Sequence, residues 1–195
     1  MKTGLCLVLA ITLVSSVRAF AAEAAPSTPP TSYVNFEVGG DISAGGSAYS
    51  GRDPRFQFQL EAGGKYGAFP VSVSFGQSLT IVGVKPRVHY LFAPVASLPG
   101  LRMGPGLGAV LNYAHGSGPS PLGAATMNLI EFGAQIGVYV RYNLTDHLHV
   151  QFVPAAVDIN FWRKAWINAT FGGGSGSSSD IGVILNILAG VGLNF

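Results

Sequence analysis

Charge is the scarcest property of this 195-residue chain: Asp, Glu, Lys and Arg together make up 10% of it. A soluble domain carries about 25%, and a water-facing surface this poor in charge would self-associate. Cysteine is nearly absent as well. Cys6 is the single one and falls in an N-terminal segment with the marks of a cleaved leader, so disulfides and thiolate metal sites are excluded from the rest. Long apolar runs are also missing. The best stretch, Ile181 to Phe195, is too short for a helical span of about 20 residues and is broken by Gly182, Gly190 and Gly192. Yet hydrophobic residues make up 48% of the chain, and glycine occurs 27 times. For a chain that avoids water but has no helical span, a closed β-ladder is the way to satisfy every backbone group in lipid.

The N-terminus has the layout of a secretory signal peptide. Lys2 precedes the short apolar run Leu5 to Val14, and Ala19-Phe20-Ala21 supplies the small-x-small cleavage pattern. Residues 1–22 are therefore expected to be removed on export through the Sec route. Without Lys2 and Arg18 the eleven basic residues become nine, against nine acidic ones. That neutral balance gives no reason to expect a nucleic-acid partner. Residues 23–31 (EAAPSTPPT) read as a Pro/Ser/Thr linker, and residues 32–195 as one domain.

That domain is dominated by period-two alternation. Over Ile130 to Tyr142, one face takes Ile130, Phe132, Ala134, Ile136, Val138, Val140 and Tyr142; the other takes Glu131, Gly133, Gln135, Gly137, Tyr139 and Arg141. A helix, with its period of 3.6, cannot separate those sets. The same pattern predicts seven further strands: Tyr33 to Ser43, one starting near Arg55, one through Val71 and Phe75, Thr80 to Phe92, Leu101 to Tyr113, Leu148 to Phe161, and Asp180 to Phe195. Short turns near 63–68, 93–100 and 143–147 contrast with longer Gly/Ser-rich loops expected near 44–54, 114–127 and 162–179. The expected fold is all-β, an eight-stranded antiparallel up-and-down transmembrane β-barrel with both termini on the periplasmic side. Pro86, Pro105 and Pro154 fall inside proposed strands and would each remove a ladder donor. At Pro154-Ala155-Ala156 the alternation slips by one residue, which predicts a β-bulge.

Which face meets lipid follows from where the charges lie. Glu37, Asp41, Glu61, Lys85, Arg87, Arg102, Glu131 and Arg141 all fall on the polar face, with signs balanced for mutual pairing. They are expected to form a self-paired network inside the barrel, since eight strands leave an interior that side chains fill. Aromatic residues on the apolar face gather toward strand ends, as Phe36, Tyr90, Phe92, Tyr142, Phe152 and Phe195 at one rim and Phe56, Phe75, Tyr113 and Phe161 at the other. Two such girdles suit the two membrane interfaces.

The last strand alternates Ile187, Ala189, Val191, Leu193 and Phe195 and ends on phenylalanine. This resembles the C-terminal signal of bacterial outer-membrane proteins, and the whole domain resembles the small barrels typified by outer-membrane proteins A, X and W. The resemblance implies residence in the outer membrane of a Gram-negative cell. It implies Phe195 as an assembly signal read by the barrel-assembly machinery, and outer-membrane lipids and lipopolysaccharide as partners. No cofactor, metal or catalytic residue is expected, and the expected role is non-enzymatic, structural or interactive. Two alternatives stay open, a lipid A-modifying enzyme and a narrow channel for small solutes. His115-Gly-Ser117 is the segment that raises the first, because a histidine and a serine at an outer loop could act as base and nucleophile, but no acid partner is fixed by the sequence. Trp162, Arg163, Lys164 and Trp166 form a candidate lipopolysaccharide contact, with cations for phosphate and indoles for the lipid interface. His147 and His149 at a periplasmic turn lack an evident third metal ligand.

Overall fold

The computed structural model describes residues 32–43, 54–77, 79–93, 98, 100–120, 123–169, 172–179 and 181–195. The expected signal peptide and linker lie outside the described residues. Ten strands form in chain order: β1 (Ser32–Ser43), β2 (Arg55–Gly64), β3 (Gly67–Phe75), β4 (Leu79–Val84), β5 (Arg87–His89), β6 (Leu101–Ser120), β7 (Gly123–Asn143), β8 (Leu148–Ala169), β9 (Gly172–Ser178) and β10 (Gly182–Asn194). Neighbours pair antiparallel, and β10 pairs with both β1 and β8, which closes the sheet on itself. β4 and β5 act as one stave, and β9, paired to the upper part of β8 on the side that β10 takes lower down, continues the β10 stave upward. The result is a closed antiparallel barrel of eight staves.

The prolines explain the irregularities. Pro86 sits in the break between β4 and β5, where Lys85 N still donates to Pro70 O and Ala109 N to Pro86 O, each at 3.0 Å. Pro105 accepts on its carbonyl from Tyr90 N at 3.1 Å. In an antiparallel ladder a residue's N and O point the same way, so its missing donor faces Tyr90 and Leu91, which belong to no strand. At Pro154 the predicted bulge is present: Val138 and Val140 pair with Ala155 and Phe152, so three steps on β8 oppose two on β7. Val153 and Ala156 consequently both point inward.

Two expected loops are corrected. Residues 114–120 continue β6 and residues 123–127 belong to β7, paired out to Ser120↔Gly123, and much of 162–179 forms the paired β8 and β9, including most of the Gly/Ser run expected as a flexible loop. A barrel strand needs about 9–11 residues to cross the hydrocarbon layer. The 20 residues of β6 and 21 of β7 are about twice that length. Outside lipid a ladder needs no apolar alternation, because water satisfies whatever the strands leave free.

Side chains are distributed inside-out relative to a soluble protein. Buried residues are mostly polar, among them Asn35, Glu37, Gln57, Glu61, Glu131 and Asp158, whereas Phe36, Leu60, Val88, Leu107, Ile136 and Val191 are exposed on the outer wall. The aromatics assigned to the two girdles all lie on that wall. Lumen-facing glycines admit the larger groups: a Cβ on Gly137 would stand 2.9 Å from Ala156 Cβ and 3.1 Å from the Tyr139 hydroxyl.

Candidate functional site

Two regions hold the chemistry, the lumen and the outer wall near the hairpin tips. In the lumen, alternation delivers one inward side chain every second residue, so partners come from different staves. Arg87 of β5 forms an ion pair with Glu61 of β2 and lies over the Tyr139 ring at 3.9 Å. Glu61 also accepts from the Tyr33 hydroxyl at 2.6 Å. Glu37 accepts from Gln59, from Asn35 at 3.0 Å and from Gln151 at 2.7 Å. Arg141 covers the Tyr33 ring at 3.7 Å and donates twice to Gln151 Oε1, at 3.1 and 2.7 Å.

A second layer sits further along the axis. Lys85 pairs with Asp158 at 2.8 Å, and Gln135 donates to the same carboxylate at 2.7 Å. Toward the outer end, Arg55 pairs with Asp41 at 2.5 Å and donates to Ser43. Glu131 accepts from Asn160 at 2.9 Å and faces Arg163 across the β7–β8 ladder. One register step beyond, Ile81, Ala114, Leu129 and Ile184 form an apolar cluster, packed by Leu79 and Ala165.

The sequence-predicted lumen residues thus converge, with one exception. Arg102 stands at the mouth opposite the long hairpins, half-buried and directly opposite Arg141, beside a small cavity of about 160 Å³ that Lys65, Tyr66 and Asn143 also line. It makes no ion pair among the described residues. The neutral members Tyr33, Gln59, Gln135, Tyr139, Gln151 and Asn160 were missed by counting charges. Their signal was their place on the polar face. His149, expected near His147, points inward with Nδ1 2.7 Å from Asn194 Oδ1, while His147 is exposed in the turn.

On the outer wall, the register lines up rows across β6, β7 and β8. Leu111–Phe132–Trp162 comes first, then Tyr113–Ile130–Lys164, then His115–Asn128–Trp166, then Ser117–Thr126–Asn168. The wall turns from apolar to polar over these rows. A second bulge, where Phe132 and Gly133 pair with Trp162 and Asn160, puts both Phe161 and Trp162 on the outside and turns Arg163 inward. The expected quartet is therefore divided. Trp162, Lys164 and Trp166 share the outer wall, with the Lys164 ammonium 5.3 Å from the Trp166 ring centroid, and Arg163 is buried in the lumen. In its place the structure adds Tyr113, His115 and Asn128. The Tyr113 hydroxyl donates to Asn128 Oδ1 at 2.8 Å, and His115 Nδ1 lies 2.8 Å from the same oxygen.

No protein-family model and no curated protein sequence matches the chain. Its fold does match solved barrels. A major outer membrane protein from Thermus thermophilus superposes with a TM-score of 0.54 at 15% identity, over 84% of this chain and 99% of that one. Neisserial surface protein A superposes with a TM-score of 0.50 at 14% identity, over 89% and 100%. The architecture is that of the small eight-stranded outer-membrane barrels.

Proposed function

We propose that the chain is a bacterial outer-membrane barrel with a structural or interaction role, filled inside and working through its lipid-facing wall and outer hairpins. The distribution of side chains carries this reading. Exposed Phe, Leu, Ile and Val ring the outside, and the charges of the interior are buried against one another. Charge on a lipid-facing wall is costly, and among the described strand residues the exposed wall has it only near the tips, at Lys164.

Three details follow. The lumen does not conduct, because Glu37, Glu61 and Asp158 are wholly buried and an apolar cluster stands across the outer end. The outer rim binds lipopolysaccharide, with Lys164 facing phosphate and Trp162 and Trp166 seated at the interface. The exposed, outward Phe195 at the end of β10 is the residue the barrel-assembly machinery engages, after export through the signal peptide.

Planar-bilayer recording tests the filled lumen. The purified barrel is expected to give no unitary steps above baseline. Steps whose size changes in Arg102→Gln would establish instead a narrow channel with that arginine at its mouth.

A further inference from the structure

We propose that Ser117, His115 and Asn128 form a hydrolytic triad on the lipid-facing wall that cleaves carboxylic esters of membrane acyl chains. This deepens the outer-membrane reading above and rests on it. The sequence offered a histidine and a serine without an orienting partner; the fold supplies one. Asn128 stands directly opposite His115 in the β6–β7 register, and its Oδ1 accepts from the Tyr113 hydroxyl while facing His115 Nδ1, both at 2.8 Å.

Those two contacts decide the tautomer. An amide oxygen can only accept, so the imidazole proton is on Nδ1 and the lone pair is left on Nε2. That is the form a general base requires, with the amide in the orienting role an acid fills in other triads. Ser117 is two residues on, on the same exposed face of β6. Same-face neighbours in a strand are roughly 7 Å apart at Cα, a span that an imidazole and a serine hydroxyl can close.

The depth of the site selects the substrate. Below it, the wall carries Leu111 and Phe132, exposed for an acyl chain. At its outer edge Ser117 shares a polar row with Thr126 and Asn168. The triad lies where the wall changes from apolar to polar, which is where the ester linkages of a membrane lipid lie. Lys164 has its Cα one row inward of Asn128 on the neighbouring strand, but its stem runs outward to Trp166, bringing the ammonium up to the level of the triad, toward the headgroup side.

The reaction balances without any further reactant than water. Ser117 Oγ attacks the acyl carbonyl carbon as its proton passes to His115 Nε2. The C–O bond to the alcohol breaks, and the alkoxide takes that proton. Water then attacks the acyl-serine, giving its proton to His115, which returns it to Ser117 Oγ as the fatty acid leaves. Ester and water become acid and alcohol. Ser117 and His115 are the catalytic residues, and Asn128 positions His115.

The test uses the full chain expressed with its leader and recovered from envelopes in detergent, with the heat-dependent gel shift of a folded barrel checked for every variant. Two substrates are supplied in mixed micelles, a diacyl phospholipid and lipopolysaccharide, and a fluorophosphonate reports a reactive serine. The parent should be labelled and should release fatty acid, and whichever micelle yields it identifies the lipid. Ser117→Ala should abolish labelling, and His115→Ala should lower release about 10²–10⁴-fold. Asn128→Ala should lower release, and Asn128→Asp should restore it, a rescue that a purely structural Asn128 would not predict. A parent that shows the gel shift yet neither labels nor releases fatty acid from either lipid overturns the triad while leaving the barrel intact. A parent without the gel shift overturns the barrel reading itself, and the triad with it.

Discussion

At the scale of single residues, the interior is held by charges that have been fully withdrawn from water. Glu61 is the hub. It pairs with Arg87, accepts from Tyr33, and lies 3.4 Å from Gln151 Nε2. Breaking a buried pair by removing one partner leaves the other charge stranded, which costs about 3–5 kcal/mol. Glu61→Gln should therefore lower the barrel's stability to urea by roughly that amount in detergent. Lys164→Gln, on the exposed wall, should stay within about 0.5 kcal/mol of the parent. Urea titrations followed by the heat-dependent gel shift check both. The inward direction of Glu37, Glu61, Arg87 and Arg141 was legible in the sequence, since alternation fixes a side. Their partners were not, because a partner depends on the stagger between staves, which a single strand does not reveal. Arg163 shows the limit most plainly. Its neighbours Trp162 and Lys164 face outward, but a bulge at Phe161 turns it into the lumen opposite Glu131.

At the scale of elements, bulges keep the long β8 in phase with a two-faced wall. Between Phe152 and Ala155 one extra residue resets the alternation, so that Asp158 and Asn160 continue inward and Ile159 and Phe161 outward. Deleting Ala155 removes that reset. A one-residue slip exchanges the faces of a strand, so the deletion would aim Asp158 at lipid and Ile159 at the polar interior. The expected outcome is loss of the folded band and degradation in the envelope. Ala155→Val, which keeps the count, should fold as the parent does. This bulge was readable because apolar residues on both sides of it declare their face. The upper parts of β6, β7, β8 and β9 were not readable. Toward the tips Gly, Ser and Asn residues break the apolar alternation, and the ladder is carried mainly by backbone hydrogen bonds, for which side-chain pattern is silent, with added side-chain bonds such as those of Tyr113 and His115 to Asn128. The split of one stave into β4 and β5 was signalled by Pro86, but its geometry, with the ladder continuing through Lys85 N and Pro86 O, needed the neighbouring staves.

At the scale of the whole molecule, closure explains the composition. A chain with so little charge and so many apolar side chains exposed on its wall suits an apolar solvent, the lipid of the proposed outer-membrane setting. The glycines of the inner face leave room for Tyr139, Arg87 and their partners to fill the bore. Closure by β10 against β1 and β8 joins the described staves into a ring, and β9 extends the β10 stave beyond it along β8. Eight staves, a polar packed interior and an apolar outside are one consistent solution. Its most direct test is electrophoretic. Envelopes containing the chain are solubilised in SDS and run unheated beside boiled. An inside-out closed barrel withstands SDS until heated, so the unheated band should migrate apart from the boiled one, and detergent should be needed to extract it. A chain found in the osmotic-shock fluid, with one band under both conditions, would contradict the account and place the apolar wall against something other than lipid.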